Sequence, residues 1–367
     1  MTPESENSDQ PLSRQIFGTP PRRILIVLSG AIGDVVRALP ILGRLRRAWP
    51  EAHIAWAIEP KSRPILDGHP WLDDLIVYDR RRPWSFPLFL ARVRAGRFDL
   101  VLDLQRHLKS GLASRASGAP VRIGFARQNT KEGNHHFSTH QISPQPPMRL
   151  KLLQYQAFAD LIGLPPAAVE FGLAPTESER ARVKQMLAGA PRPLLGVILG
   201  SSWPSRLWQP EAIAETIEIL GAESPALFPV LLGGRDEVDL AARTAALVPN
   251  GRMLNLAGRT SLRDLLAIFE SCAVAFGPDS GPMHIAAAVQ CPVVSLWGAT
   301  SPRRSAPWGY ADLTITGEIP CHPCYLRKCP IDNECMRRIA PADVAAMVRR
   351  ACAAPVSERT ERRSALA

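Results

Sequence analysis

Three observations predict an α/β chain of two doubly wound, Rossmann-like domains facing a cleft. The chain's 367 residues exceed what one ordinary core holds. A short apolar strand pattern, a glycine turn and a helical pattern follow one another between residues 22 and 45. The same series then restarts near residue 193.

Residues 22–28 (RRILIVL) form a β-branched apolar run of the kind buried in parallel sheets. They lead into Ser29-Gly-Ala-Ile-Gly-Asp34 and then a helical spacing of Val35, Leu39, Leu42 and Leu45. Further strands are expected at 53–59, 74–79, 98–104 and 121–125. In the second half, 193–200, 228–234, 272–281 and 292–298 read as strands, and 210–220 and 341–354 as helices. The proline-bearing span 165–192 reads as the crossover. The expected division is therefore a first domain over 21–172 and a second over 173–354, with disordered ends at 1–20 and 355–367.

Apolar residues make up 46% and charged residues 21%, a globular composition rather than a disordered one. No run approaches the roughly 20 apolar residues a membrane helix needs, and the first residues lack a signal-peptide core, so a cytoplasmic protein is expected. The net charge is +10 and lies mainly in the first half, where residues 1–170 carry 23 Lys/Arg against 15 Asp/Glu. Either a polyanionic partner or a solvated basic surface explains that excess. Nucleic acid is not the expected partner: aromatics are 6% and no basic–aromatic stripe appears. A nicotinamide enzyme is also disfavoured, because residues 29–34 lack the G-x-G-x-x-G spacing.

In open α/β sheets ligands bind beyond the carboxyl ends of the strands, which selects the loops 29–34, 201–208, 233–239 and 277–284. Asp34 at a helix start is either a cap or first-turn carboxylate, or a catalytic group. Gly277-Pro-Asp-Ser-Gly-Pro-Met-His284 ends a strand and opens an Ala-rich helix, with Pro282 suited to the first turn. Its N–H groups near Ser280 and Gly281 form an anion site, or else only a tight turn. Arg206 is placed to neutralise a departing diphosphate, and Asp236 and Glu237 to hold ribose hydroxyls or begin a helix. Arg80, Arg81 and Arg82, with Lys131, are candidates to hold an acidic acceptor, or are surface charge.

Four of seven cysteines fall within fifteen residues, as Cys321-x2-Cys324-x4-Cys329-x5-Cys335. In a reducing compartment such a cluster reads as a compact zinc or iron site, or as four reduced thiols. Cys272, Cys291 and Cys352 read as core residues.

The segments RILIVLSGAIGDVVRALPIL, FDLVLDLQRHLKSGLAS, RIGFARQNTKEGN, GSSWPSRLWQPEAIAE and GPDSGPMHIAAAV, in this order, span much of residues 22–350. Together they resemble the ADP-heptose:lipopolysaccharide heptosyltransferases, glycosyltransferase family 9. The resemblance implies a GT-B fold and metal-independent, inverting transfer of heptose from ADP-heptose to the lipopolysaccharide inner core. The implied acceptor is lipid A–octulosonic acid or a first heptose. It implies Asp34 as catalytic base, Arg206 in place of the family's lysine, and Asp279, Ser280, Gly281 and His284 at the donor. Arg80–Arg82 and Lys131 fall at its acceptor surface. No catalytic cofactor is implied, although some relatives hold iron with clustered cysteines. An anionic, lipid-linked saccharide acceptor further implies peripheral contact with the inner membrane. Another nucleotide sugar or glycan acceptor on the same fold is the alternative. Arg106-His107 departs from the family, which usually has a glycine after D-x-[QH].

Overall fold

The computed structural model describes residues 19–353. The ends expected to be disordered, 1–20 and 355–367, lie outside that span except for residues 19 and 20. Among the described residues no helix is long and apolar enough to cross a membrane.

The chain divides into two units, the first ending at Gly172 and the second starting at Leu173. The first unit contains β1 (Arg23–Val27), α1 (Ile32–Ala48), β2 (His53–Ile58) and β3 (Asp74–Val77). It continues with α2 (Ser85–Ala95), β4 (Leu100–Asp103), α3 (Leu108–Ala116), β5 (Val121–Gly124), β6 (His140–Gln141) and α4 (Lys151–Leu161). Its six strands pair in the order β3-β2-β1-β4-β5-β6, all parallel. The inner strands are largely apolar because helices cover both faces; β1 from Ile24 to Val27 and all of β4, with Asp103 at its end, are buried. The helix α1 is buried along most of its length. Its Arg44 reaches Asp160 at 2.8 Å, Gln156 at 3.0 Å and the carbonyl of Leu164, which fastens α1 to α4. That clasp fixes which residues of α4 stand over the first turn of α1.

The second unit opens with α5 (Glu177–Met186), β7 (Leu194–Ile198), α6 (Pro210–Glu223), β8 (Phe228–Leu232) and α7 (Val238–Leu247). Then come β9 (Leu254–Asn255), α8 (Leu262–Ser271), β10 (Cys272–Pro278), α9 (Gly281–Ala288) and β11 (Val293–Trp297). It closes with α10 (Pro302–Ser305), β12 (Thr314–Thr316), α11 (Glu334–Arg337) and α12 (Pro341–Ala353). The strand order β9-β8-β7-β10-β11-β12 repeats that of the first unit, again all parallel. In both units the order reverses between the first and fourth strands. Side-chain ligands of such sheets gather at that reversal. At the second one, a Cβ on Gly277 would lie 2.4 Å from the carbonyl oxygen of Ile198, so only glycine lets β10 run this close to β7.

The edge strands β6, β9 and β12 span two or three residues and lack the apolar run that marks inner strands. Nor does the strand-and-glycine pattern single out α4. Both Cys272 and Cys291 are core residues as expected, and burial pushes the Cys272 thiol up to about 12. Cys352, by contrast, is only half-buried.

Candidate active site

At the reversal point of the first sheet, the loops after β1 and β4 meet. Gln105, just past β4, accepts from the backbone N–H of Ser29 at 2.7 Å and from its hydroxyl at 3.0 Å. Its amide also donates to the carbonyl of Gly30. The loop behind Gln105 is held by Asp103, a buried carboxylate that accepts from Asn134 Nδ2 at 2.7 Å, Ser110 Oγ at 3.0 Å and Gln105 N at 3.0 Å. Burial pushes the Asp103 carboxyl up, against these hydrogen bonds.

Past the Ser29 loop, Asp34 lies in the first turn of α1. Ala31 occupies the N-cap and no side chain caps this helix, so Asp34 is a first-turn carboxylate and not the cap. Its Oδ1 receives Lys151 Nζ at 2.7 Å, Arg37 Nη2 at 2.6 Å and the Tyr155 hydroxyl at 3.4 Å. Burial alone would push this carboxyl up. The charges of Lys151 and then Arg37 outweigh it and hold the group well below the usual carboxylate range. Burial and the neighbouring Asp34 charge push the Tyr155 phenol the other way.

A cavity of about 340 Å³ opens on the same side, beyond the ends of β1 to β4. Ser29 and Gln105 form part of its wall; Arg80, Lys109, Glu59 and Tyr78 form others. Glu59 ion-pairs with Arg80 at 3.4 Å, and burial raises its carboxyl above the ordinary value despite that pair. Of the predicted acceptor residues, Arg80 thus lines the cavity. Arg81 and Arg82 stand exposed beside it, with Arg82 paired to Asp79 at 3.6 Å. Lys131 is exposed on a loop anchored by its N–H to the Arg106 carbonyl, and the next residue, Glu132, reaches the cavity wall.

Arg106 takes a left-handed φ of 75°, which explains why a glycine suits this position in the family. Here the strain is offset by the guanidinium stacking 3.7 Å over Phe125 and bonding Gln154.

In the second unit, Arg206 ends the short turn Pro204–Arg206 that follows β7. Its guanidinium lies 4.0 Å over Trp203 and 3.1 Å from Asp279 Oδ2. Asp279 also accepts from Thr300 Oγ1 at 2.6 Å, while Ser201 Oγ donates to its carbonyl at 2.8 Å. Its carboxylate therefore holds Arg206 in place. The turn itself is braced from outside: Ser205, buried, donates its hydroxyl to Leu326 O at 2.6 Å, and Asn333 Nδ2 donates to Pro204 O at 2.8 Å.

Beside Arg206, Gly281 begins α9 with Pro282 in its first turn. Ser280 Oγ is buried with no hydrogen-bond partner among the described residues, which leaves a donor at a helix N-terminus, where anions bind. His284 is buried one turn on. Glu237 accepts from Gly234 N at 2.7 Å and lies across the ends of β7 and β8: a Cβ on Gly200 would meet its carboxyl carbon at 2.3 Å. Asp236 is exposed next to it.

The cysteine loop packs on the far end of β11, where Tyr325 N donates to Ala299 O at 2.7 Å and His322 Nδ1 bonds Gly298 O. Burial pushes the Cys335 thiol up, and Cys329, Cys324 and Cys321 add to it. Yet among the described residues no three Cys, His, Asp or Glu side chains form a ligand set. Cys335 turns into the core against Gly298 while Cys321 faces solvent.

Lys151, Tyr155, Arg37, Gln105 and Lys109 are not among the candidates that the sequence motifs select. The apolar spacing of Leu152, Tyr155 and Phe158 marks α4 as a helix, but a pair 117 residues apart carries no sequence signal.

The model of glycosyltransferase family 9 (heptosyltransferase) matches residues 89–334. The lipopolysaccharide core heptosyltransferase OpsX of Haemophilus influenzae is 26% identical over 303 residues, covering 82% of this chain and 86% of that protein. Two solved structures share the fold. One is the glycosyltransferase family 9 protein of Veillonella parvula (TM-score 0.75, 20% identity, 90% of this chain and 97% of that one). The other is Escherichia coli ADP-heptose lipopolysaccharide heptosyltransferase II (TM-score 0.72, 21% identity, 90% and 98%). Their likeness makes the fold GT-B, with two Rossmann-like units. The family model covers well over half of the chain, so this protein belongs to glycosyltransferase family 9, the heptosyltransferases.

Proposed function

We propose that the protein transfers a heptose from ADP-heptose, with inversion, to the lipopolysaccharide inner core, on lipid A–octulosonic acid or on a first heptose. The first unit holds the acceptor and the second the donor. The observation that carries the donor half is the turn where Arg206, locked by Asp279, stands beside the buried Ser280 hydroxyl at the start of α9. A guanidinium and a helix N-terminus supply the positive charge an ADP leaving group needs. Gly281 and His284 complete that helix start, and Glu237, with Asp236, is placed for the ribose.

In the reaction the acceptor hydroxyl attacks the anomeric carbon and the bond to the ADP oxygen breaks. Electrons pass to the diphosphate, and the hydroxyl proton goes to Asp34. Lys151 and Arg37 keep Asp34 ionised at every working pH but also weaken it as a base. An acceptor carboxylate that draws Lys151 toward itself restores the proton affinity of Asp34 where it is used. Arg80, Arg81, Arg82, Lys131 and Lys109 supply the charge that holds an anionic acceptor. Such an acceptor is lipid-linked, which places the enzyme peripherally on the cytoplasmic face of the inner membrane.

No step passes through a metal. The cysteine loop as placed does not form a ligand set, so zinc or iron at Cys321, Cys324, Cys329 and Cys335 requires the loop to close further around the ion. Elemental analysis of protein purified without added metal reads this directly: about one zinc or iron per chain supports the site, and none leaves four thiols. Calorimetric titration with ADP-heptose and with UDP- and GDP-sugars tests the donor. ADP-heptose should bind with the highest affinity, and preference for another nucleotide would sink the assignment.

A further inference from the structure

Among the described residues, the two most exposed large apolar side chains stand together at the start of α2: Trp84 is 75% exposed and Leu88 67%. They are four residues apart and so share one face of the helix, with Arg92, also exposed, one turn further along the same line. Arg81 and Arg82 are exposed immediately before them, and α2 carries no acidic residue. Its opposite face is the reverse in character. There Phe86 and Phe89 pack onto Tyr78, with ring centroids each 5.2 Å from that of Tyr78, and Val93 joins the same apolar cluster. Phe86 and Phe89 also wall the cavity that contains Arg80 and Lys109.

A tryptophan three-quarters in water gains little from burial in the fold. An exposed aromatic and leucine flanked by arginines is the composition that lies in a lipid headgroup layer, the ring and leucine entering the acyl boundary and the guanidiniums meeting anionic headgroups. We propose that the Trp84–Leu88–Arg92 face of α2 is the surface by which the protein docks on an anionic bilayer. The inference rests on the reading of the acceptor as lipid-linked and deepens it. One helix then stands between the bilayer and the saccharide cavity, its outer face on lipid and its inner face on the cavity. A glycan leaving the headgroup layer beside α2 reaches Arg80 and Lys109 without leaving the membrane surface.

The test uses the full chain with vesicles of phosphatidylglycerol and phosphatidylethanolamine, and with phosphatidylcholine vesicles as the uncharged control. Wild-type protein should co-sediment with the anionic vesicles only, and less so in 0.5 M salt. The variant Trp84→Ala/Leu88→Ala should bind about tenfold more weakly, and Arg92→Gln should weaken binding at low salt and flatten its salt dependence. Turnover with a deacylated, water-soluble inner-core saccharide should stay at the wild-type value in each, and circular dichroism should be unchanged. Wild-type protein that ignores anionic vesicles would overturn peripheral contact itself. Wild-type binding that the double variant retains in full would leave that contact standing and overturn the α2 surface. Loss of turnover on the soluble saccharide would also overturn it, by placing Trp84 in the sugar site.

Discussion

The ion-paired state of Asp34 makes the replacement Asp34→Asn informative in two separable ways. Lys151 and Arg37 both bond Oδ1, and the three side chains are 21%, 9% and 19% exposed for Lys151, Arg37 and Asp34. Breaking a buried pair by removing one partner costs about 3–5 kcal/mol; with one-fifth of the carboxylate in solvent, about 2–3 kcal/mol is expected here. For a unit of this size that lowers the melting temperature by roughly 5–10 °C. Loss of a general base slows turnover by about 10²–10⁴. Both effects should appear together in Asp34→Asn. The double variant Asp34→Asn/Lys151→Met removes the stranded cation, so it should regain about half of the lost stability and none of the turnover. The assay pairs calorimetric melting with single-turnover transfer at saturating donor. Recovery of turnover in the double variant would mean that Asp34 only neutralises Lys151, and the catalytic assignment would fall.

Further outcomes follow from the same geometry. Because its folded carboxyl sits below the ordinary value near 4, the stabilisation by Asp34 is complete above that value and is lost as pH falls through the folded one. Wild-type kcat/KM should therefore show no Asp34 limb above about pH 5, whereas Lys151→Met should bring an acid limb upward by about 1–3 pH units; an unmoved profile contradicts the pairing. Arg206→Ala should raise the donor Kd and also slow the chemical step, with Arg206→Lys recovering much of both; normal turnover would remove Arg206 from the phosphate site. Ser205→Ala, which frees the Arg206 turn, should lower kcat in an Arg206 background and add nothing in Arg206→Ala, whereas additive losses would make Ser205 merely structural. Neutralising Arg80, Arg81 and Arg82 together should weaken acceptor binding in a salt-dependent way and leave donor binding alone.

The parallel-sheet framework was legible because inner strands such as 22–28 and 193–200 are apolar on both faces and end at glycines, which is what burial between helices demands. The same physics made the loops that bear Asp34, Arg206 and Ser280 legible, since they follow those strands. Edge strands of two residues are fixed by a neighbour's register rather than by their own pattern, so β6 and β9 left no trace. Long-range pairs were equally silent: nothing near residue 151 announces that Lys151 meets Asp34 across the α1–α4 clasp. The motif that holds Asp279 does not announce that its carboxylate pairs with Arg206 and accepts from Thr300. The spacing of the cysteines places them in one loop, but convergence on one point depends on how each Cβ is aimed. Cys335 is aimed into the core.

Heptose transfer is read by incubating the purified protein with ADP-heptose and a lipid A–octulosonic acid or single-heptose acceptor, then resolving the product by mass spectrometry and its anomeric configuration by NMR. The expected product is an acceptor heavier by one heptose, linked with inverted configuration, formed with release of ADP and absent when Asp34→Asn replaces the wild type. Retained configuration, or transfer from a UDP- or GDP-sugar in preference to ADP-heptose, would contradict it.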